Sequence, residues 1–190
     1  MTRAILTPDL PTPSGFQLIR CDASDGPVAL QMGRQILEEL AKEGKAAHYI
    51  IDETDEEFFD FFRKPEFYPL GVLDPNNALV AVGVASHRQE PIQKYLPFIP
   101  AEDVQASSKS VGYIEFIQVA ANSRGRGFQR LLFAELEKWL RAQGTLYATG
   151  SVSPENQYSL NNFKSQGYRE AGRYVVKDLN YPRILMVKKL

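Results

Sequence analysis

The chain has 190 residues and a formal net charge of −1 at pH 7, a length that fits one domain and a charge that argues against nucleic acid as a bulk electrostatic partner. Its hydrophobic fraction of 44% is enough for a sizeable core, whereas its single cysteine excludes a disulfide framework and a cysteine zinc cluster. The first residues lack the apolar core of a signal peptide, and no apolar run has the length of a membrane span, so we expect a cytoplasmic protein with no membrane partner.

The first part of the chain predicts one strand and one helix after an irregular start. Residues 1–14 contain three prolines and are predicted to be an irregular lead-in to a single domain over 15–190. A strand is predicted at Phe16–Cys21. A helix is predicted at Val28–Lys42, because its apolar residues recur at helical spacing.

An acidic stretch, Asp52–Phe62, is the sharpest charge feature of the sequence. Thr54 and Glu57 have the spacing of a capping box ahead of an apolar run, so one interpretation is a helix whose dipole favours acids at its first turn. The other interpretation is an acidic rim that attracts a cationic amine. The four phenylalanines of the stretch are expected to lie in the core or to form a wall of a substrate pocket.

Two apolar runs follow, Tyr68–Leu73 and Leu79–His87, and the turn sequence between them predicts a hairpin. His87 at its end is more typical of a satisfied surface residue than of a catalyst, and the same holds for His48. Residues 89–110 have no clear period, and loops of that length tend to be lids, binding loops or disordered segments.

The centre of the sequence predicts a strand–turn–helix–strand unit. Val111–Ala120 is β-branched and aromatic, which is typical of a largely buried strand. A helix is predicted from about Phe128 to Gly144, with apolar residues at helical spacing, and Leu146–Ser151 is predicted as the next strand. Such a unit brings its two strands together in parallel through a right-handed crossover.

The turn of this unit, residues 124–129, is suited to binding a phosphate. Gly125 and Gly127 allow close approach of the backbone, the helix start presents free N–H groups, and Arg124 and Arg126 add positive charge. The turn lacks the lysine of a P-loop, and a dinucleotide fingerprint would need glycine at Arg130. The alternative is an exposed turn that binds nothing.

Two motifs in this region resemble those of the GNAT acetyltransferase superfamily. Residues 119–129 are similar to its motif A, Gln/Arg-x-x-Gly-x-Gly/Ala, with Gln129 where glycine or alanine is usual. Residues 156–168 are similar to its motif B, Asn-x-x-Ala/Ser-x-x-x-Tyr-x-x-x-Gly-Phe, with Phe163 at the usual tyrosine. The resemblance covers about 16–190 and is strongest over 111–168.

The resemblance implies an α/β (α+β) fold of one domain. It predicts a mixed, mostly antiparallel sheet of about six to seven strands, with a central splayed parallel pair and about four flanking helices. The last strands are expected at Tyr168–Tyr174 and Arg183–Val187, and the loop 89–110 is expected to run beside the acceptor cleft. It also implies acetyl-coenzyme A as cosubstrate, with no metal. The coenzyme-binding residues implied are Ile117, Val119, Arg124, Gly125, Arg126, Gly127, Phe128, Gln129, Asn156, Ser159 and Phe163.

Glu115 is the candidate general base. A carboxylate in an otherwise apolar strand is costly to bury unless it is paired or useful, and alternation along the strand predicts that it shares a face with Ile117 and Val119. The alternatives are a carboxylate that only bonds a neighbouring strand, and Tyr113 as the base. Since phenyl carries no proton, Phe163 leaves the general acid to Tyr158 or water, and Tyr168 is expected in the core.

The sequence therefore predicts an N-acetyltransferase that acts on a small-molecule or protein amine by direct attack. One alternative is a non-catalytic protein of the same fold that binds acyl-coenzyme A as a sensor or scaffold, which Phe163 favours. A weaker alternative is a nucleotide- or RNA-binding protein that uses Arg124 and Arg126, against which the near-neutral charge counts. The sequence leaves both a monomer and a homodimer open.

Overall fold

The computed structural model describes residues 3–45, 53–87, 111–176 and 181–190. The long segment 89–110 and His48 lie outside the described residues. No helix within the described ranges is both long and apolar enough to cross a membrane.

A single mixed sheet runs through the described chain. All neighbouring strands are antiparallel except one central pair, the fifth and sixth strands, which are parallel. This confirms the predicted fold class, with eight strands in the described residues where six to seven were expected. In chain order they are β1 Ala4–Leu6, β2 Gln17–Arg20, β3 Phe67–Leu73, β4 Leu79–Ser86, β5 Val111–Val119, β6 Tyr147–Val152, β7 Arg169–Val176 and β8 Tyr181–Lys189, and in the sheet β1-β2-β3-β4-β5-β6-β8-β7.

The additional strand lies in the segment predicted to be an irregular lead-in. β1 pairs with β2 in antiparallel register, and Leu6 and Leu10 pack against the core. Three residues are too few for a readable alternation of apolar and polar side chains, and the prolines all follow β1. The lead-in is therefore part of the sheet, because pairing with β2 stabilises a strand that local sequence does not mark.

Four α-helices cover the two faces of the sheet in the described residues: α1 Gly26–Lys42, α2 Asp55–Arg63, α3 Phe128–Ala142 and α4 Gln157–Ser165. One hydrophobic core lies between the sheet and α1 and α2, and a larger one lies between the sheet and α3 and α4. The sheet thus separates two layers, which are called here the α1/α2 face and the α3/α4 face.

The described part of the acidic stretch, residues 53–62, contains the N-cap and most of α2. Thr54 accepts from the Glu57 N–H while the Glu57 carboxylate accepts from the Thr54 N–H, so the predicted capping box is confirmed. Three other acids form ion pairs, Asp55 with Arg34, Glu56 with Arg63 and Asp60 with Lys64. Phe58, Phe61 and Phe62 are buried. The acids of α2 therefore have structural partners, which favours the helix-capping interpretation over an acidic rim.

Candidate functional site

A gap opens between the two parallel strands at the centre of the sheet. β5 and β6 pair only from Val111 opposite Tyr147 to Ile114 opposite Gly150. Beyond that point β5 remains bonded to β4, and β6 remains bonded to β8. Residues 115–119 therefore lie along an edge of β5 that β6 does not pair with, and backbone groups on that edge can bond a ligand.

A cavity of about 770 Å³ follows this gap and reaches both faces of the sheet. Its walls come from four sources: the free edge of β5, the end of β6, the turn before α3, and the facing sides of α1 and α4. Ten of the eleven predicted coenzyme-binding residues line it: Ile117, Val119, Arg124, Gly125, Gly127, Phe128, Gln129, Asn156, Ser159 and Phe163. Arg126 is the one predicted residue not in the lining.

The turn before α3 has the backbone conformation that its glycines predict. Gly125 and Gly127 have φ angles of +77° and +82°, and Gly127 is the N-cap of α3. A Cβ at either glycine would meet no described atom within 4 Å, so the surface above them is open. No side chain caps the first N–H groups of α3 in the described chain. Such a helix start attracts an anion.

The two arginines of the turn lie at the surface. Arg124 donates to Glu39 of α1 at 3.1 Å and to the Val119 carbonyl at 3.4 Å, so it connects the turn to the other face of the sheet. The Arg126 guanidinium lies 5.5 Å from the centre of the Phe16 ring. Both charges are near the helix start, where they would add to its attraction for phosphate.

α4 forms the opposite wall of the cavity. Asn156 caps this helix, since its Oδ1 accepts from the Ser159 N–H at 2.9 Å. Asn162 donates to the Gln129 side chain at 2.6 Å and so joins α4 to the start of α3. Tyr158 lines the cavity with 62% of its side chain exposed, which leaves its hydroxyl accessible to a ligand.

Phe163 is a core residue whose ring tip reaches the point where β5 and β6 part. It is 6% exposed and packs edge-on against Phe133 and Tyr168. Its Cζ lies 2.6 Å from the position of a Cβ on Gly150. Burial raises the pKa of Tyr168 well above its usual value. Tyr168 is thus in the core as predicted, and neither ring offers a proton to the cavity.

Gly150→Ala is expected to destabilise the fold by about 1–3 kcal/mol, because the added methyl group would overlap the Phe163 ring, which is packed against Phe133 and Tyr168. Urea unfolding measures the change. In the double variant Gly150→Ala/Phe163→Leu the two effects should sum to less than their separate values, since leucine vacates the overlapped space. If the losses in unfolding free energy of the two single variants simply add in the double variant, the Phe163 ring is not what the new methyl group overlaps.

Glu115 occupies a β-bulge. Val84 pairs with Phe116 and Ala85 with Ile114, so Glu115 is an additional residue in β5. Its carboxylate accepts a hydrogen bond from Ser86 on β4. Phe116 stacks on Phe58 of α2, which identifies the α1/α2 face.

The bulge overturns the predicted orientation of Glu115. Ser86 pairs with Tyr113, on the α1/α2 face, and Glu115 bonds Ser86 there. A Cβ on Gly83 would instead meet Ile117, Leu132 and Leu136, so Ile117 is directed to the α3/α4 face. Glu115 therefore shares a face with Tyr113 and not with Ile117 and Val119. The alternation of side chains along a regular strand predicted the opposite face for Glu115. The bulge adds one residue to β5, and one additional residue moves every later side chain of the strand to the other face.

Further residues of the cavity were not identified from the sequence. Ser151 of β6 and Arg183 of β8 line it, and Ser151 Oγ lies 2.7 Å from the hydroxyl of Tyr174 on β7. Apolar side chains of α1 line it too: Ile36, Leu37 and Leu40. The helical spacing of the α1 residues was visible in the sequence, but which strands bring Ser151, Tyr174 and Arg183 together was not.

The described site and fold can be compared with known proteins. Residues 33–168 match the sequence model of the acetyltransferase (GNAT) family. No curated protein sequence matches significantly. The fold is similar to NAA60 of Arabidopsis thaliana in complex with acetyl-CoA, at 16% identity and a TM-score of 0.73 over 92% of this chain and 98% of that chain. It is also similar to a GCN5-related N-acetyltransferase from Kribbella flavida, at 18% identity and a TM-score of 0.68 over 94% and 100% of the two chains. A third similar structure is the ribosomal-protein-S18-alanine N-acetyltransferase from Escherichia coli, at 13% identity and a TM-score of 0.63 over 92% and 93%.

Proposed function

The chain belongs to the GNAT acetyltransferase family, and from this premise we propose that it transfers an acetyl group from acetyl-coenzyme A to an amine by direct attack. The observation that carries the proposal is the gap between β5 and β6, which begins after Ile114 and Gly150 and leads to the open start of α3. The cavity reaches the start of α3 at Gly125 and Gly127, which suits a phosphate, and it also reaches the Glu115 carboxylate on β5.

Acetyl-coenzyme A would supply a thioester carbonyl and its phosphates. The residues suited to hold the phosphates are the N–H groups that follow Gly125 and Gly127, with Arg124 and Arg126 beside them. Gln129 and Phe128 contribute only backbone N–H groups, because the Gln129 side chain bonds Asn162 and the Phe128 ring is buried. Asn156 and Ser159 order the start of α4 along the opposite wall.

The amine side of the reaction belongs to β5. Glu115 takes the proton of the attacking amine, and Ser86 positions the carboxylate. A backbone N–H on the free edge near Ile117 and Val119 polarises the thioester carbonyl, and one such donor contributes about 10²–10³ in rate. Tyr158 or water protonates the leaving thiolate, whose pKa near 8.5 makes it a tolerable leaving group.

Thiol release from acetyl-coenzyme A tests the proposal. We expect release by the wild type to rise with added amine, and the acetylated amine to appear in equal amount by mass spectrometry. A folded protein that acetyl-coenzyme A does not stabilise against heat would contradict both the transferase and the coenzyme site. Stabilisation without amine-dependent release would contradict the transferase alone.

A second candidate function is a sensor or scaffold that binds acyl-coenzyme A without turnover. Phe163 favours it, because the ring at the point where the strands part carries no acidic proton. The two functions differ in one observable. A sensor binds acetyl-coenzyme A, and the rate of thiol release stays at the background rate with every amine that is tested.

A further inference from the structure

We infer that the acceptor is an amine that also carries a carboxylate, as a free amino acid does, and that Arg183 binds that carboxylate. This inference rests on the proposed function and names the substrate class of the same site. It is carried by a cation in the cavity wall that no described residue neutralises.

The Arg183 side chain has no partner within the described chain. The residue is half-buried at the start of β8 and lines the cavity, yet its guanidinium forms no hydrogen bond, ion pair or ring contact with any described residue. By contrast Arg20, which is also half-buried, donates to two backbone carbonyl oxygens. A guanidinium that is partly removed from water is stabilised by a planar anion, and carboxylate is the anion that it binds with two parallel hydrogen bonds.

Two hydroxyl groups lie beside Arg183. Tyr174 is its direct partner across β7 and β8, so their side chains lie on the same face, about 5 Å apart at Cβ. The Tyr174 hydroxyl is 2.7 Å from Ser151 Oγ on β6. A Cβ added at Gly150 would point to Phe163 on the α3/α4 face. Because side chains alternate along a strand, the side chain of the next residue, Ser151, points to the α1/α2 face. Hydroxyl groups next to a guanidinium complete a site for an oxyanion.

The opposite wall contains the complementary charge. Ile114 and Gly150 are the last paired residues of β5 and β6, so Glu115 and Ser151 are the first residues on either side of the gap. Both line the cavity, and both are directed to the α1/α2 face. One wall therefore presents a carboxylate, and the other presents a guanidinium with the Ser151 hydroxyl, which the Tyr174 hydroxyl contacts from behind. A zwitterion, with its amine at Glu115 and its carboxylate at Arg183, matches both charges.

The same arrangement disfavours a polyamine. A second ammonium group in the cavity would lie near Arg183, and like charges in a partly dehydrated cavity repel each other. The acids at and before α2 do not offset this repulsion. Asp55, Glu56 and Asp60 are paired with cations, and Glu53, which lines the cavity, already has an interaction partner.

The test uses matched pairs of acceptors that differ only in the carboxylate: phenylalanine and phenethylamine, alanine and ethylamine, lysine and cadaverine. Acetyl-coenzyme A-dependent thiol release is measured for each. We expect the carboxylate member of at least one pair to be favoured in kcat/KM by about 10- to 100-fold, the contribution of a hydrogen-bonded charge pair. Arg183→Gln should remove that preference, so that the two members of a pair react with similar kcat/KM, and Arg183→Lys should retain part of the preference.

Arg173→Gln is the matched control. Arg173 lies on the same hairpin, pairs with Glu170 and is directed to the other face, so its loss should leave the preference intact. Several results would overturn the inference: equal rates within every pair, an unchanged preference in Arg183→Gln, a preference for peptide N-termini over free amino acids, or no turnover of any pair. Failure of acetyl-coenzyme A to stabilise the wild type would instead overturn the proposed function itself.

Discussion

Glu115→Gln is expected to lower kcat by about 10²–10⁴-fold, the contribution of a positioned general base. The amide has the size of the carboxylate and can still accept a hydrogen bond from Ser86, but it cannot take a proton from the amine. The measurement is thiol release from acetyl-coenzyme A with the amine that the wild type acetylates fastest. Stabilisation by acetyl-coenzyme A should not change, because Glu115 is not one of the residues that bind its phosphates.

Ser86→Ala is the matched control for Glu115. It removes the hydrogen bond that positions the carboxylate but leaves the base in place, so we expect a smaller loss of about tenfold in kcat, equivalent to about 1.4 kcal/mol. Equal rates in Glu115→Gln and the wild type would show that the carboxylate only joins β5 to β4. Equal losses in Glu115→Gln and Ser86→Ala would assign the effect to the shape of the bulge instead of the proton.

Gly127→Glu is expected to abolish stabilisation by acetyl-coenzyme A. A ligand at about 100 times its dissociation constant adds about 2.7 kcal/mol, or roughly 5–10 °C in Tm for a domain of this size. A carboxylate at the N-terminus of α3 would occupy the open surface and repel the phosphates. Thermal unfolding with and without acetyl-coenzyme A measures the difference.

Gly144→Glu is a close control for this variant. Gly144 follows the other end of α3, has a φ of +76° against +82° for Gly127, and also has no described atom within 4 Å of a Cβ. Both variants should lose about 1–2 kcal/mol without ligand, because glutamate in the left-handed conformation is strained. Only Gly144→Glu should retain the ligand-induced rise. A rise in Gly127→Glu as large as in the wild type would place the coenzyme elsewhere.

The sequence was sufficient for the elements whose signals are local. The turn at Gly125 and Gly127 was predicted because two glycines before a helix allow the backbone to approach a ligand, and both glycines have the left-handed conformation in the structure. The capping box at Thr54 and Glu57 was predicted because both partners lie within one turn. β1 was missed because three residues at an edge have too little pattern, and pairing with β2 determines their conformation.

The set of polar side chains at the cavity depends on contacts between strands, which no local sequence pattern contains. The bulge at Glu115 is defined by pairing with β4, which reverses the face that alternation predicts. Ser151, Tyr174 and Arg183 come from three strands, and only the order β6-β8-β7 brings them together.

By itself, the sequence determined the family, the fold class and the position of the glycine-containing turn before α3, because backbone conformation and helix starts are encoded within a few neighbouring residues. The tertiary structure alone decided which side chains share the cavity and which face each one is directed to. Strand order and register set those positions, and they arise from hydrogen bonds between segments that are distant in the chain.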